Sequence, residues 1–271
     1  HADAVMVIAI NFDDSTVNLV SLPRDAFVNM PTVQGFYKLN GMFNVGGGYD
    51  APNGKGFLMM CQAAEWMLGG ISIDYYYSVD FQAVVDLVDA IGGIDFDMDM
   101  SYQGSRYYAK GLQHLDGQGV LDYLRARTNA TVDANDRGRV NRQKDMMIAI
   151  FRQIKNSNLL STVPKAIFSI QDGLYTNTSM EQTLGLANFA RNINPDSIGM
   201  YSLYGDYMAG PIAWNWTFVD PEHRIEVIQD VWGVTVPPLE CTSYEFMSWL
   251  KDFGFSALKY LSSADAVGDA V

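Results

Sequence analysis

Residues 3–25 read DAVMVIAINFDDSTVNLVSLPRD. Two apolar runs rich in β-branched residues, 4–12 and 16–22, flank the turn signal Asp13-Asp14-Ser15. That pattern predicts a strand hairpin near the middle of a sheet. Pro23 ends the second run and throws Arg24 and Asp25 past the strand end. Downstream, 55–68 (KGFLMMCQAAEWML) reads as a helix stopped by Gly69-Gly70, 75–80 as a strand, and FQAVVDLVDAI as a helix stopped by Gly92-Gly93. IDFDMDM at 94–100 alternates apolar and acidic residues, the period of a half-exposed strand. A helix is expected after Asp116-Gly117, and further helices at 136–156, 158–171, 180–192, 220–232 and 243–252, with a strand at 198–204. Strands alternating with helices place the chain in the layered α/β class.

With 271 residues and 48% hydrophobic residues, the chain can bury one large core. We expect a single domain over 1–256 and a tail over 257–271. The net charge of −13 argues against general affinity for nucleic acid, which demands a broad cationic footprint. No stretch reaches the roughly 18–20 apolar residues that cross a bilayer. Because a core strand begins almost at His1, the sequence is expected to be a domain cut from something longer. Cys61 and Cys241 fit either one long-range disulfide or two buried thiols, and three scattered histidines do not suggest zinc.

Six of the eighteen lysines and arginines fall between 125 and 144: Arg125, Arg127, Arg137, Arg139, Arg142 and Lys144. Guanidinium forks match phosphate oxygens two at a time and keep their charge, so such clustering in an acidic chain points to a phosphate or pyrophosphate ligand. The plainer reading is a solvated basic helix face. Arg139, Arg142 and Gln143 share one helical face, and a helix starting at Asp136 would add its positive pole. Arg125 and Arg127 converge on one ligand only if their helix ends near Tyr123 or Leu124, leaving them in extended chain. Met146, Met147, Ile150 and Phe151, with Val140, give the same helix an ordinary apolar core face. Arg24 and Asp25 in SLPRD stand at a strand's carboxyl end, where ligands bind in open α/β sheets. Asp3 reaches the same edge if the first two strands are antiparallel. Two carboxylates beside phosphate suit Mg2+, although a purely structural Arg24–Asp25 pair explains the residues as well.

Taken in order, DAVMVIAINFDDSTVNLVSLPRD, YKLNGMFNVGG, IDYYYSVDFQAVVDLVDAIGGIDFDM, LDGQGVLDYLRAR and DRGRVNRQ resemble the LytR-CpsA-Psr family of bacterial cell-wall glycopolymer transferases. The resemblance is dense over roughly residues 2–150. It implies a three-layer α/β/α sandwich with a central mixed β-sheet, placed outside the membrane of a thick-walled bacterium and tethered by an N-terminal membrane helix absent from this sequence. It further implies a phosphotransferase that takes a glycan from a polyprenyl-pyrophosphate carrier to a peptidoglycan acceptor, with Mg2+ assisting. Matching motif to motif, Arg24 and Asp25 take the S-x-P-R-D positions, Arg125 and Arg127 the paired arginines of Y-x-R-x-R, and Asp136, Arg139 and Gln143 the polar positions of D-x-x-R-x-x-R-Q. Arg142 and Gln143 lie on the same substrate-binding face, and Asp3 matches an aspartate that helps hold the metal. Two departures stand out: the family's upstream strand with its second metal-sharing aspartate is missing, and the insert TNATVDAN before Asp136 is slightly long.

The resemblance implies that the arginines stabilise the transferring phosphates while an aspartate, Asp25 or Asp3, accepts the hydroxyl proton and Asp136 orients an arginine. Two other readings use the same residues: a lipid-pyrophosphate phosphatase or pyrophosphatase, and a non-catalytic binder of polyprenyl-linked wall glycans. A DNA-binding regulator is disfavoured by the charge and by the lack of a helix-turn-helix signal.

Overall fold

The computed structural model describes residues 2–35, 37–126, 132–156, 159–209 and 215–239. In chain order the elements begin with β1 (Val5–Asn11), β2 (Thr16–Leu22), β3 (Phe27–Val28), β4 (Tyr37–Lys38), α1 (Met42–Val45) and α2 (Lys55–Met67). Then come β5 (Tyr77–Val79), α3 (Phe81–Ala90), β6 (Ile94–Met98), β7 (Tyr102–Gln103), β8 (Tyr107–Tyr108), β9 (Gly111–Leu115), α4 (Gly117–Arg125) and α5 (Val132–Asn156). The remainder is α6 (Leu159–Ser169), β10 (Leu174–Thr176), α7 (Met180–Ala190), β11 (Gly199–Ser202), β12 (Gly205–Ala209), β13 (Asn215–Val219) and α8 (Pro221–Trp232). The expected helix at 243–252 and the expected tail at 257–271 lie outside the described residues.

The chain is thus a mixed α/β fold. The large central sheet implied by the family resemblance is not assembled among the described residues: the longest sheet has three strands, ordered β1-β2-β11, and the other strands stand as pairs. Their brevity is the physical reason, since β3, β4, β7 and β8 are two residues each and offer few ladder bonds.

Two compact units make up the chain. The first draws on His1–Ile10, Asn18–Asp74 and Gly199–Val271. Here β2 pairs in parallel with β11, Asn18 facing Gly199 and Ser21 facing Ser202. Burial increases along β2 toward its carboxyl end, so Leu19–Leu22 are buried. Val20, Leu22, Leu39, Met42, Met67 and Ile228 are among the residues of one apolar core. The helix α2 ends as its sequence dictates: Gly69 and Gly70 both take positive φ, and Gly70 N–H bonds back to Glu65 O at 2.8 Å. Arg224 of α8 is only 1% exposed and donates from Nε to Met67 O and from Nη1 to Pro237 O at 2.8 Å. Burial pulls its pKa down to about 10, which still leaves it charged at neutral pH.

The second unit draws on Asn11–Val17 and Tyr75–Ile198. Asp80 caps α3, accepting from Ala83 N–H at 2.7 Å, and Asp116 caps α4, accepting from Gly119 N–H at 2.8 Å. The pair Gly92-Gly93 closes α3 as expected, with Gly93 N–H bonded to Val88 O at 2.9 Å. Antiparallel β9, for which no strand was expected, supplies the partner of β6 and sets His114 against Asp95. Val88, Ile94, Leu115, Val120, Tyr123 and Met146 belong to this unit's core, with Ile150 packed against it. Met147 and Phe151 are half-buried.

The long helix α5 starts at Val132, one turn earlier than expected, so Asn135 and Asp136 lie within it. Asp133 offers the same anionic first-turn signal as Asp136, one turn sooner. Half of the insert TNATVDAN is therefore helix, and Thr128–Thr131 lie outside the described residues.

Two stability tests follow from close approaches. At Gly117 an added Cβ would stand 2.2 Å from Val85 O, a backbone atom of α3 that has nowhere to go. Gly117→Ala is expected to cost about 2–3 kcal/mol in urea unfolding. Arg224→Leu keeps the bulk but strands two carbonyls, for an expected loss of about 2–4 kcal/mol. A change within about 0.5 kcal/mol would mean that water reaches those carbonyls instead.

Candidate functional site

At the carboxyl end of β2, Pro23 breaks the strand and Ala26 N–H bonds to Pro23 O at 2.9 Å, turning Arg24 and Asp25 outward from the ladder. The segment from Lys38 to Asn40 then runs beside them: Leu39 N–H bonds to Ala26 O and Asn40 N–H to Arg24 O, both at 2.8 Å. That pairing aims two further side chains at Asp25. Lys38 Nζ donates to Asp25 Oδ1 at 2.9 Å, and Asn40 Nδ2 approaches the same oxygen at 3.4 Å. Arg24 Nη1 donates to Asp3 Oδ1 at 2.7 Å. Its Nε lies 3.3 Å from Asp25 Oδ2 without hydrogen-bond alignment, so this contact is an ion pair only. Asp25 is 16% exposed and Asp3 47%. The structure therefore brings Asp3, Arg24 and Asp25 together. It adds Lys38 and Asn40, which sequence reasoning did not single out, although both stand in the YKLN segment quoted above.

In the second unit, α4 runs to Arg125, one or two residues further than the convergence of Arg125 and Arg127 requires. Ala126 then leaves the helix at φ −56° and ψ 132°. Arg125 is exposed, with its guanidinium carbon 4.9 Å from the centre of the Phe81 ring, a cation–π contact. Arg127 lies outside the described residues, as does the side chain of Asp136. On α5, Arg139 and Arg142 are buried and Gln143 half-buried. The face that carries the two arginines also carries Met146, so it points into the core of its own unit. Arg142, 4% exposed, donates from Nη2 to Ala126 O at 2.8 Å and lies 5.7 Å from the centre of the Tyr123 ring. Its Nε has no hydrogen-bond partner among the described residues. Lys144 is buried too; desolvation lowers its pKa, and the neighbouring Asp145 carboxylate works against that shift.

The earlier start of α5 changes the electrostatic argument. Arg139 sits about two turns inside the helix, roughly 10 Å from its first residue, whereas the pole acts mainly within the first turn. Anion attraction near Arg139 must come from guanidinium charge. The plain reading of a solvated basic face does not describe Arg139, Arg142 or Lys144, all three of which are buried.

No group of three or more metal-ligating side chains occurs among the described residues. Mg2+ needs fewer, because it commonly takes one or two carboxylates together with phosphate oxygens and water. Asp3 suits that limited role: one oxygen accepts from Arg24, and its exposure leaves the other open to solvent. Asp25 has both oxygens engaged by cations. Cys61 carries a free thiol, pushed up to about 11 by burial and by Glu65 beside it, and Cys241 lies outside the described residues.

Known proteins match most of the chain. A solved structure, that of B. subtilis TagV, superposes with a TM-score of 0.71 at 24% identity, covering 86% of this chain and 90% of that one. The structure described as TagT bound to LI-WTA gives 0.67 at 24% identity, covering 86% and 85%. These likenesses speak for the fold. In sequence, the polyisoprenyl-teichoic acid–peptidoglycan teichoic acid transferase TagU of Bacillus mycoides is 27% identical over 193 residues, 71% of this chain. The chain spans only 60% of that relative's length. The LytR_cpsA_psr family profile matches residues 1–231, and the chain therefore belongs to the LytR-CpsA-Psr family.

Proposed function

We propose that this chain is a glycopolymer phosphotransferase, moving a glycan phosphate from a polyprenyl-pyrophosphate carrier to a peptidoglycan hydroxyl outside the bacterial membrane, with cleavage of the pyrophosphate bond and release of polyprenyl phosphate. The names of its relatives support the reaction type. The observation that carries the reading onto this chain is the ordered cluster of Arg24, Asp25, Lys38 and Asn40 at the carboxyl end of parallel β2. Its cations are oriented before any ligand arrives. We also assign the cell-wall setting, a membrane anchor outside this sequence and the three-layer sandwich to the chain on the strength of family membership.

Transfer between phosphates demands charge stabilisation more than covalent help. Arg24 and Arg125 are each assigned to phosphate oxygens: among the described residues the first is held by carboxylates and the second by an aromatic face. By their motif positions Arg127, Arg139 and Gln143 are assigned to the substrate site as well, with Asp136 orienting a guanidinium. Asp25 organises cations. Its oxygens face Arg24, Lys38 and Asn40, which leaves Asp3 better placed to receive the acceptor proton or to hold Mg2+. Bound there, the metal would neutralise non-bridging phosphate oxygens.

The test combines purified protein, a synthetic polyprenyl-pyrophosphate sugar, peptidoglycan fragments and Mg2+, read by mass spectrometry. A phosphodiester-linked conjugate is expected. Arg24→Ala, Arg125→Ala and Arg139→Ala should each lower its rate by about 10²-fold, the usual loss for one transition-state donor. Near-normal turnover by Arg139→Ala would remove that residue from the site. Lys38→Met is expected to cost about 10-fold, because Asp25 would then pull Arg24 out of place. Free phosphate or sugar phosphate without conjugate would identify a hydrolase, and intact co-purifying substrate a binder.

A further inference from the structure

We propose that Asp99 and Tyr123 are positioning residues: they fix the aromatic surface on which Arg142 lies, and through Arg142 the point at which Arg125 leaves α4. The inference rests on the reading of Arg125 as a phosphate-binding residue. Neither Asp99 nor Tyr123 carries a role in the reaction as drawn above.

Tyr123 is 1% exposed, yet its hydroxyl is fully engaged. It donates to Asp99 Oδ1 at 2.5 Å, and its own oxygen accepts from Asp99 N–H at 3.3 Å. Burial first, and then the hydrogen bond to Asp99, push the phenol's pKa upward, so it stays a proton donor to the carboxylate. The ring is further held edge-on by Phe96, centroids 5.3 Å apart. A phenol pinned at its hydroxyl and its edge cannot rotate, and it presents a fixed face to the Arg142 guanidinium. Arg142 in turn donates to Ala126 O. That carbonyl belongs to the residue just beyond α4, where the chain turns from helical to extended and Arg125 projects toward Phe81.

An unfixed Arg142 would leave Ala126 O without its donor, and the last turn of α4 would fray. The asymmetry is in what each group touches. Arg125 is exposed and can meet a ligand, whereas Tyr123 is buried against Arg142, and Asp99, although exposed, is engaged by the phenol. The backbone of Asp99 follows β6 directly, so the clamp ties this helix end to a strand rather than to a loose loop.

Tyr123→Phe keeps the ring and removes the clamp; Asp99→Asn removes the charge but not the shape. Two readouts are needed. Hydrogen exchange at the end of α4 is expected to quicken by about 10-fold in Tyr123→Phe, the scale of one lost hydrogen bond. In the transfer assay, KM for the polyprenyl-pyrophosphate sugar is expected to rise about 5–10-fold at an unchanged folded fraction, as misplacement of a binding arginine predicts. Asp99→Ala, which removes the acceptor, should raise KM likewise, whereas Asp99→Asn, whose amide oxygen still accepts from the phenol, should raise it less. A purely structural role would lower the folded fraction and kcat together while leaving KM alone, and that result would overturn the proposal. So would unchanged exchange in Tyr123→Phe and Asp99→Ala. Faster exchange in a protein whose wild type shows no transfer would keep the clamp and remove the assigned reaction instead.

Discussion

The carbonyl groups at the end of a helix have no intrahelical partner, and burying them demands donors from elsewhere. In both units of this protein a buried arginine meets that demand. Arg224 donates to Met67 O, the last residue of α2, and Arg142 donates to Ala126 O, just past α4. The match is electrostatic as well as geometric, because a helix's carboxyl end carries partial negative charge and favours a cation. Each arginine pays a large desolvation cost, offset by carbonyls rather than by a carboxylate. The elements on either side of those contacts are fixed as a result: α8 against α2 in one unit, α5 against α4 in the other.

This separates two kinds of arginine. Arg142 and Arg224 each hold a backbone carbonyl at a helix end, and a ligand that pulled that donor away would strand the acceptor. Arg24 is held by carboxylates at a half-exposed strand end, where an ion pair is worth about 0–1 kcal/mol. A phosphate oxygen can replace such a carboxylate at little cost, since it offers the same geometry and more charge. Arg125 is exposed and rests against the Phe81 ring. Arg24 and Arg125 can therefore exchange partners, while Arg142 and Arg224 hold their own helix ends in place.

The sequence displayed the elements well wherever a local signal was strong. Gly69-Gly70 and Gly92-Gly93 stop their helices because only glycine enters the left-handed region easily, and Asp80 and Asp116 cap theirs through a side-chain oxygen. The start of α5 was not legible because two acidic signals, Asp133 and Asp136, compete one turn apart and only tertiary packing chooses between them. Nor was the pairing of β6 with β9, or the approach of Lys38 and Asn40 to Asp25, since contacts across a turn-rich segment leave no periodic trace. Arg24, Asp25 and Asp3 were readable through their motif, but motif spacing could not show that Asp25 has both oxygens occupied while Asp3 keeps one exposed. The burial of Arg139 and Arg142 ran against the simplest reading of a charged helix face, which is solvated.

A net charge of −13 is compatible with the proposed phosphate-binding cluster because fields in salt water are short. At physiological ionic strength the Debye length is about 8 Å, so an anion beside Arg24 and Lys38 responds to those cations and very little to distant carboxylates. A long polyanion cannot confine itself to so small a region, and most of its length meets acidic surface that repels it. The charge balance thus fits the proposed compact phosphate or pyrophosphate group better than a long polyanion. Nucleic acid, which gains affinity from many phosphate contacts along its length, would find too few of them.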